Sequence, residues 1–135
     1  MANGMYVKGI EALMEAKIDL IDDTIKVTLV DAADYTVNLS THDFIDDVPA
    51  GARVATATLG TKSVTGGAFD AADVTFTAVT GDPSEALVIW KDTGVEGTSP
   101  LIMYIDTATG LGVTPNGGDI TVTWDSGTNK IFKIG

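Results

Sequence analysis

Few side chains in this sequence have the types that catalysis or metal binding requires. His42 is the single histidine, so two- and three-His metal sites are excluded, and a Ser-His-Asp triad would depend on this one ring. It stands beside Asp43 at the start of a polar turn, Thr41–Pro49, where a solvated or capping role is expected. None of Ser40, Ser63, Ser84, Ser99 and Ser126 sits in a Gly-x-Ser-x-Gly elbow between a strand and a helix. The absence of cysteine removes disulfides, thiolate metal sites and thiol nucleophiles. The expectation is a protein that is not an enzyme, with no catalytic, cofactor-binding or metal-ligating residues.

Neighbouring carboxylates are the other source of chemistry. Asp22-Asp23, Asp46-Asp47 and Asp70 with Asp73 invite a calcium or glycosidase reading. Their spacing does not follow the Asp-x-Asp-x-Asp-Gly loop with its terminal Glu, and a solvated acidic surface is expected instead. Thr114-Pro115-Asn116-Gly117-Gly118-Asp119 has the glycines of a phosphate loop but neither its lysine nor a following helix, so it is read as a tight loop before a strand. Asn38-Leu39-Ser40 matches a glycosylation sequon, which carries no weight without a secretory route. Trp90, Trp124, Phe76, Tyr104 and Phe132 all fall in strand-like runs and are expected in a β core. Exposure of Trp90 and Trp124 on one face would instead make a carbohydrate-binding platform.

The elements that position these residues follow from periodicity. Tyr6, Ile10, Leu13, Met14 and Ile18 recur at helical spacing, which predicts a helix over about residues 5–17 whose apolar stripe lies on a sheet. Lys8, Glu11 and Glu15 are spaced to pair along its exposed side. Thr24–Val30 alternates and is β-branched, so it reads as a half-buried strand. A turn at Asp31–Asp34 follows. One or two helical turns then lie within Thr41–Pro49, with Thr41 as N-cap and Pro49 as stop. Beyond Pro49, strands are predicted at Arg53–Leu59, Lys62–Thr65, Ala72–Val79, Ala86–Lys91, Leu101–Asp106, Ile120–Trp124 and Lys130–Ile134. Turn-forming clusters such as Gly66-Gly67, Asp92-Thr93-Gly94, Ala108-Thr109-Gly110 and Ser126-Gly127 separate them. The fold class is mainly β: a β-sandwich or jelly-roll-like barrel of about eight strands with one N-terminal α-helix. A chain of 135 residues reads as one domain, with an N-terminal arm and helix over 1–20 and the sandwich over 24–135.

Charge narrows the partners. The net charge is −11, from 19 acidic and 8 basic residues, and residues 1–50 hold 10 of the acids against 3 bases. Such a chain is repelled by phosphate backbones and anionic membranes, so nucleic-acid and membrane partners are disfavoured. The start, Met1-Ala2-Asn3-Gly4-Met5-Tyr6-Val7-Lys8, lacks the pattern of a secretory signal, and the longest apolar run, Ala86–Trp90, falls far short of a membrane span. A soluble protein made in a cytoplasm is expected.

The order of segments carries one resemblance. An Asn-Gly-rich start runs into Lys8-Gly9-Ile10-Glu11-Ala12, then Ile25–Val30 ends in Asp31-Ala32-Ala33-Asp34-Tyr35. Pro49-Ala50-Gly51-Ala52-Arg53-Val54-Ala55 and Phe69-Asp70-Ala71-Ala72-Asp73-Val74-Thr75-Phe76 follow, and the chain closes through Glu85–Trp90, Leu101–Asp106 and Thr114–Ile120. Nearly the whole chain resembles the short structural proteins found among the head and tail genes of tailed bacteriophages. The resemblance implies a virion protein without enzymatic activity, foremost a capsid decoration, or cement, protein on the capsid surface. Its implied partners are the major capsid protein and neighbouring copies of itself, in a homo-oligomer such as a trimer. A tail, head-completion or fibre component is the alternative within that class, and a carbohydrate-binding β-sandwich is the alternative outside it. In the decoration role, residues 1–8 would form an arm reaching a neighbour, with a frayed terminus as the alternative.

Overall fold

A computed structural model describes residues 4–106, 111–124 and 130–133. The protein is mainly β, with ten strands and a single α-helix near the N-terminus among the described residues. A five-stranded antiparallel sheet is built from β1 (Gly4–Met5), β8 (Leu101–Ile105), β7 (Ala86–Lys91), β2 (Ile25–Val30) and β3 (Arg53–Thr58), in that order. Two smaller sheets accompany it. One orders β10 (Phe132–Lys133), β5 (Ala68–Asp70) and β4 (Ser63–Thr65); the other pairs β6 (Val74–Phe76) with β9 (Ile120–Val122).

The strand register explains why the central sheet is apolar on both faces. Across β2, β7 and β8, Val27 pairs with Ile89 and Ile89 with Met103, while Leu29 pairs with Leu87 and Leu87 with Ile105. These residues point to one face, where they join Phe69, Val74, Phe76, Ile120, Val122, Trp124 and Phe132 from the two small sheets in the larger core. The alternate residues Val30, Ala86, Val88 and Tyr104 form a second core with Tyr6, Tyr35, Ile45, Val48 and Ala52. That second face is covered by the irregular connection 31–52 between β2 and β3, which includes short 3-10 turns at Ile45–Asp47 and Ala50–Ala52. The expected alternation of a half-buried strand therefore gives way to burial throughout: Val27, Thr28, Leu29 and Val30 are all 0% exposed.

Two strands exceed the eight expected. β1 is only two residues long, and β5 follows directly on the Gly66-Gly67 turn, where both glycines take positive φ and close a tight hairpin with β4. β6 is shorter than the predicted Ala72–Val79. The Asp73 carboxylate accepts the Trp124 N–H at 3.0 Å, and Ala78 adopts φ 50°, so both flanks leave the ladder. The last strand is described as Phe132–Lys133; Ile134 and the expected turns at 108–110 and 126–127 lie outside the described residues.

The helix α1 spans Val7–Met14, shorter than 5–17 at both ends. Its orientation corrects the expected packing. The fully buried residues within the helix are the small ones, Gly9 and Ala12; of the expected stripe, Tyr6 and Ile18 are buried just beyond the helix ends, and Met14 is not. A Cβ on Gly9 would lie 2.3 Å from the Leu101 carbonyl oxygen, so only glycine lets the helix backbone settle on β8. Leu13 still packs partly buried against the larger core, whereas Val7 and Met14 turn outward, Met14 being 82% exposed. Ala16 follows the helix at φ 60°, with the Lys17 N–H donated to the Ala12 carbonyl at 2.9 Å in a left-handed cap. Of residues 1–8, the expected arm, Gly4 and Met5 are docked on the chain's own sheet, where they pair with Tyr104 and Met103, and residues 1–3 lie outside the described residues.

Candidate functional site

The covering layer 31–52 gathers most of the chain's distinctive polar groups. Asn38 organises its middle: its side-chain oxygen accepts the N–H groups of Ser40 and Thr41 at 3.0 and 3.1 Å, so the sequon residue is the cap and Thr41 is one of its donors. This turn delivers His42 to Tyr35. The Tyr35 hydroxyl lies 2.9 Å from His42 Nδ1 and 2.8 Å from the Tyr6 hydroxyl, and the Tyr35 and His42 rings stack with centroids 5.5 Å apart. The Asn38 N–H also points to His42 Nδ1, at 3.3 Å. A backbone N–H can only donate, so Nδ1 accepts, Tyr35 donates to it, and Tyr6 donates to Tyr35. His42 is therefore half-buried at the terminus of a directed chain that begins in the core, and it also caps its own turn, as expected, by accepting the Asn38 N–H. Burial, together with the Tyr35 hydroxyl, pushes the Tyr6 phenol far above its usual range, and burial pushes Tyr35 up to about 12. No serine hydroxyl joins this chain among the described residues. Ser84 and Ser99 are buried and spend their hydroxyls on the Asp82 and Val95 carbonyls.

The acidic pairs separate. Asp23 accepts the Asp19 N–H at 2.8 Å and the Lys91 ammonium at 2.9 Å, which together hold its carboxyl below the usual range. Asp70 and Asp73 are not brought together as a ligand set; Asp73 holds the Trp124 backbone instead. Asp46 and Asp47 do meet Asp43, with carboxylate oxygens within 4.8 Å of one another, and a second such group is Asp31, Asp34 and Asp82. In the first group, burial and the adjacent Asp47 push Asp43 up. Against the opposing effect of burial, the Asp43 N–H at 2.8 Å holds Asp47 down. In the second group Asp31 likewise serves a turn, accepting the Ala33 N–H at 2.9 Å. The loop Thr114–Asp119 is a clasp and not an anion cradle: the Val79 N–H reaches the Gly118 carbonyl, and the Ala78 N–H reaches the Asp119 carboxylate, each at 2.9 Å.

Two further features have no local signature in the sequence. The first is an open groove of about 600 Å³ where the 31–52 layer meets the ends of β7 and β8, lined among others by Tyr35, Val37, Glu85, Tyr104 and Asp106. The Ala32 N–H fixes Glu85 there through Oε1 at 3.0 Å. The second is the outer face of α1. Val7, Ile10 and Met14 lie at i, i+3 and i+7, and Val7 and Met14 are both exposed. The helical period was legible in the sequence; which side of it met the sheet was decided by Gly9.

The indoles do not form a platform. Trp124 is 7% exposed, donates to the Ala72 carbonyl and belongs to the larger core, whereas Trp90 packs on the second core and donates to Thr28 Oγ1 at 2.9 Å. They stand on opposite faces of the central sheet. Positive charge over residues 1–100 is engaged within the chain. Each of the six basic residues among residues 1–100 binds a carboxylate or carbonyl of the same chain, including Lys26 to Asp92 at 2.9 Å and Arg53 to Glu96 at 2.9 Å. Among the described residues no helix is long and apolar enough to cross a membrane. No protein-family model matches the chain, and no curated protein is significantly similar to it.

Proposed function

We propose that this chain is a virion structural protein of a tailed bacteriophage, acting as a capsid decoration protein that binds the major capsid protein shell and stabilises it. The observation that carries the reading is the outer face of α1: an apolar ridge of Val7, Ile10 and Met14 turned away from both cores of an otherwise acidic molecule. A large exposed apolar side chain held on a rigid helix is what a docking face supplies. The net charge of −11 keeps free copies apart in solution until a complementary surface captures them. The order of segments, which resembles that of small phage head and tail proteins, supplies the identity of that surface.

Deleting the gene from its phage tests the proposal. The expected virions have shells of normal size that rupture at lower temperature or under milder osmotic shock than the parent. Intact heads without tails would replace the decoration role with a tail or head-completion role. Particles as robust as the parent would remove the stabilising function.

A further inference from the structure

The turn 38–42 ties the tyrosine–histidine chain to the start of α1. Its Leu39 carbonyl accepts the Val7 N–H at 2.8 Å, and the Leu39 side chain sits so close over Gly4 that a Cβ there would lie 2.4 Å from Leu39 Cδ1. Val7 opens the helix, where a backbone N–H has no acceptor within the helix itself. At the other end of the same turn, His42 donates its N–H to the Asn38 carbonyl at 3.1 Å, and its Nδ1 accepts the Asn38 N–H and the Tyr35 hydroxyl.

The tyrosine–histidine chain has room for two protons only. One lies between Tyr6 and Tyr35, the other between Tyr35 and His42 Nδ1. Among the described residues neither hydroxyl has a further partner, and Tyr6 and Tyr35 are 0% and 3% exposed. A proton added to Nδ1 makes three donors for two contacts, so one buried hydroxyl proton loses its acceptor. The same proton turns Nδ1 into a donor facing the Asn38 N–H. Asn38 is exposed, so that N–H has water to turn to and the turn can open.

We infer that the turn 38–42 is an acid-sensitive latch on the N-terminus of α1, closed while His42 is neutral and released when Nδ1 takes up a proton. Imidazole is the side chain that makes this change in mildly acidic solution. The groups around the ring favour its two states unequally. Tyr35 is stacked on it with centroids 5.5 Å apart, Tyr6 lies behind Tyr35, and the Tyr104 ring is 6.4 Å from that of Tyr35; all three are neutral phenols. From the covering layer come carboxylates: Asp43 adjoins His42 in the chain, and Asp47, grouped with Asp43 and Asp46, is close enough that it and His42 act on each other. Once charged, the ring loses the tyrosines and keeps the carboxylates, so the turn no longer holds its place over α1. The latch rests on the fold alone and holds whether or not α1 docks on a capsid.

The single histidine makes the test unambiguous. In the 15N-labelled full chain, long-range 1H–15N correlation follows the imidazole nitrogens from about pH 8 to about pH 5, and amide hydrogen exchange over the same range is expressed as protection factors. At the alkaline end Nδ1 is expected bare, with the ring proton on Nε2. As the ring becomes charged, protection of the Val7 amide is expected to fall about tenfold or more, the worth of one stranded buried hydroxyl, while the amides of β7 hold theirs. His42→Asn keeps an acceptor near the place of Nδ1 and cannot take up the proton, so its Val7 protection stays level. A proton on Nδ1 at the alkaline end, Val7 protection that ignores the charge on the ring, or the same fall in His42→Asn would each overturn the latch. The unaltered chain decides the matter even where the variant fails to fold.

Discussion

At the scale of single residues, the directed chain from Tyr6 through Tyr35 to His42 is the most consequential polar feature of the second core. Its two phenols are raised by burial, so both remain protonated in the folded state where unfolded tyrosines, near pH 10, begin to ionise. Above pH 10 the folded state binds more protons than the unfolded one. Stability is therefore complete below pH 10 and falls as pH rises, by about 1.4 kcal/mol per pH unit for each phenol held protonated. Tyr6→Phe should cost about 1 kcal/mol at neutral pH, because Tyr35 keeps its bond to His42, and should flatten the alkaline loss by one proton. Urea unfolding at pH 7 and at pH 10.5 to 11.5 measures both effects, and an unchanged alkaline slope would contradict the burial of that phenol. Little of this was legible in the sequence. Tyr6 and Tyr35 are 29 residues apart, and nothing local in either marks the other as its partner.

At the scale of elements, α1 is where sequence and structure part most instructively. The period of Tyr6, Ile10, Leu13 and Met14 identifies a helix, but period alone does not say which side is down. Two small residues decided that, because Gly9 lies against the Leu101 carbonyl with no room for a Cβ. Gly9→Ala should accordingly destabilise the fold by about 1–3 kcal/mol, although alanine is the better helix former by about 1 kcal/mol. Replacing Val7 and Met14 together by Gln should leave the melting temperature nearly unchanged, since both are exposed, while reducing attachment to shells lacking the protein. Thermal unfolding with a sedimentation assay for bound protein separates the two results. Elsewhere the strands of the central sheet were legible because β2, β7 and β8 are long and β-branched. The strands missed, β1 and β5, are two and three residues long and exist by pairing with strands already formed.

At the scale of the whole molecule, one sheet apolar on both faces is closed on one side by two small sheets and on the other by an irregular layer with little regular structure. That irregular layer carries the tyrosine–histidine chain and borders the acidic groove, so the most polar architecture is laid over the most regular part of the fold. The result is an acidic body with an apolar helix ridge at its N-terminal edge. Such a body suits addition in many copies to a preformed surface through shallow contacts. The measurement that tests this most directly is a reconstruction of the virion. A decoration protein would be found there in a copy number on the order of hundreds on the outer shell, at three-fold or pseudo-six-fold positions, with α1 facing the major capsid protein. A stacked ring in the tail, a handful of copies at one vertex, or no copies in the particle would contradict it.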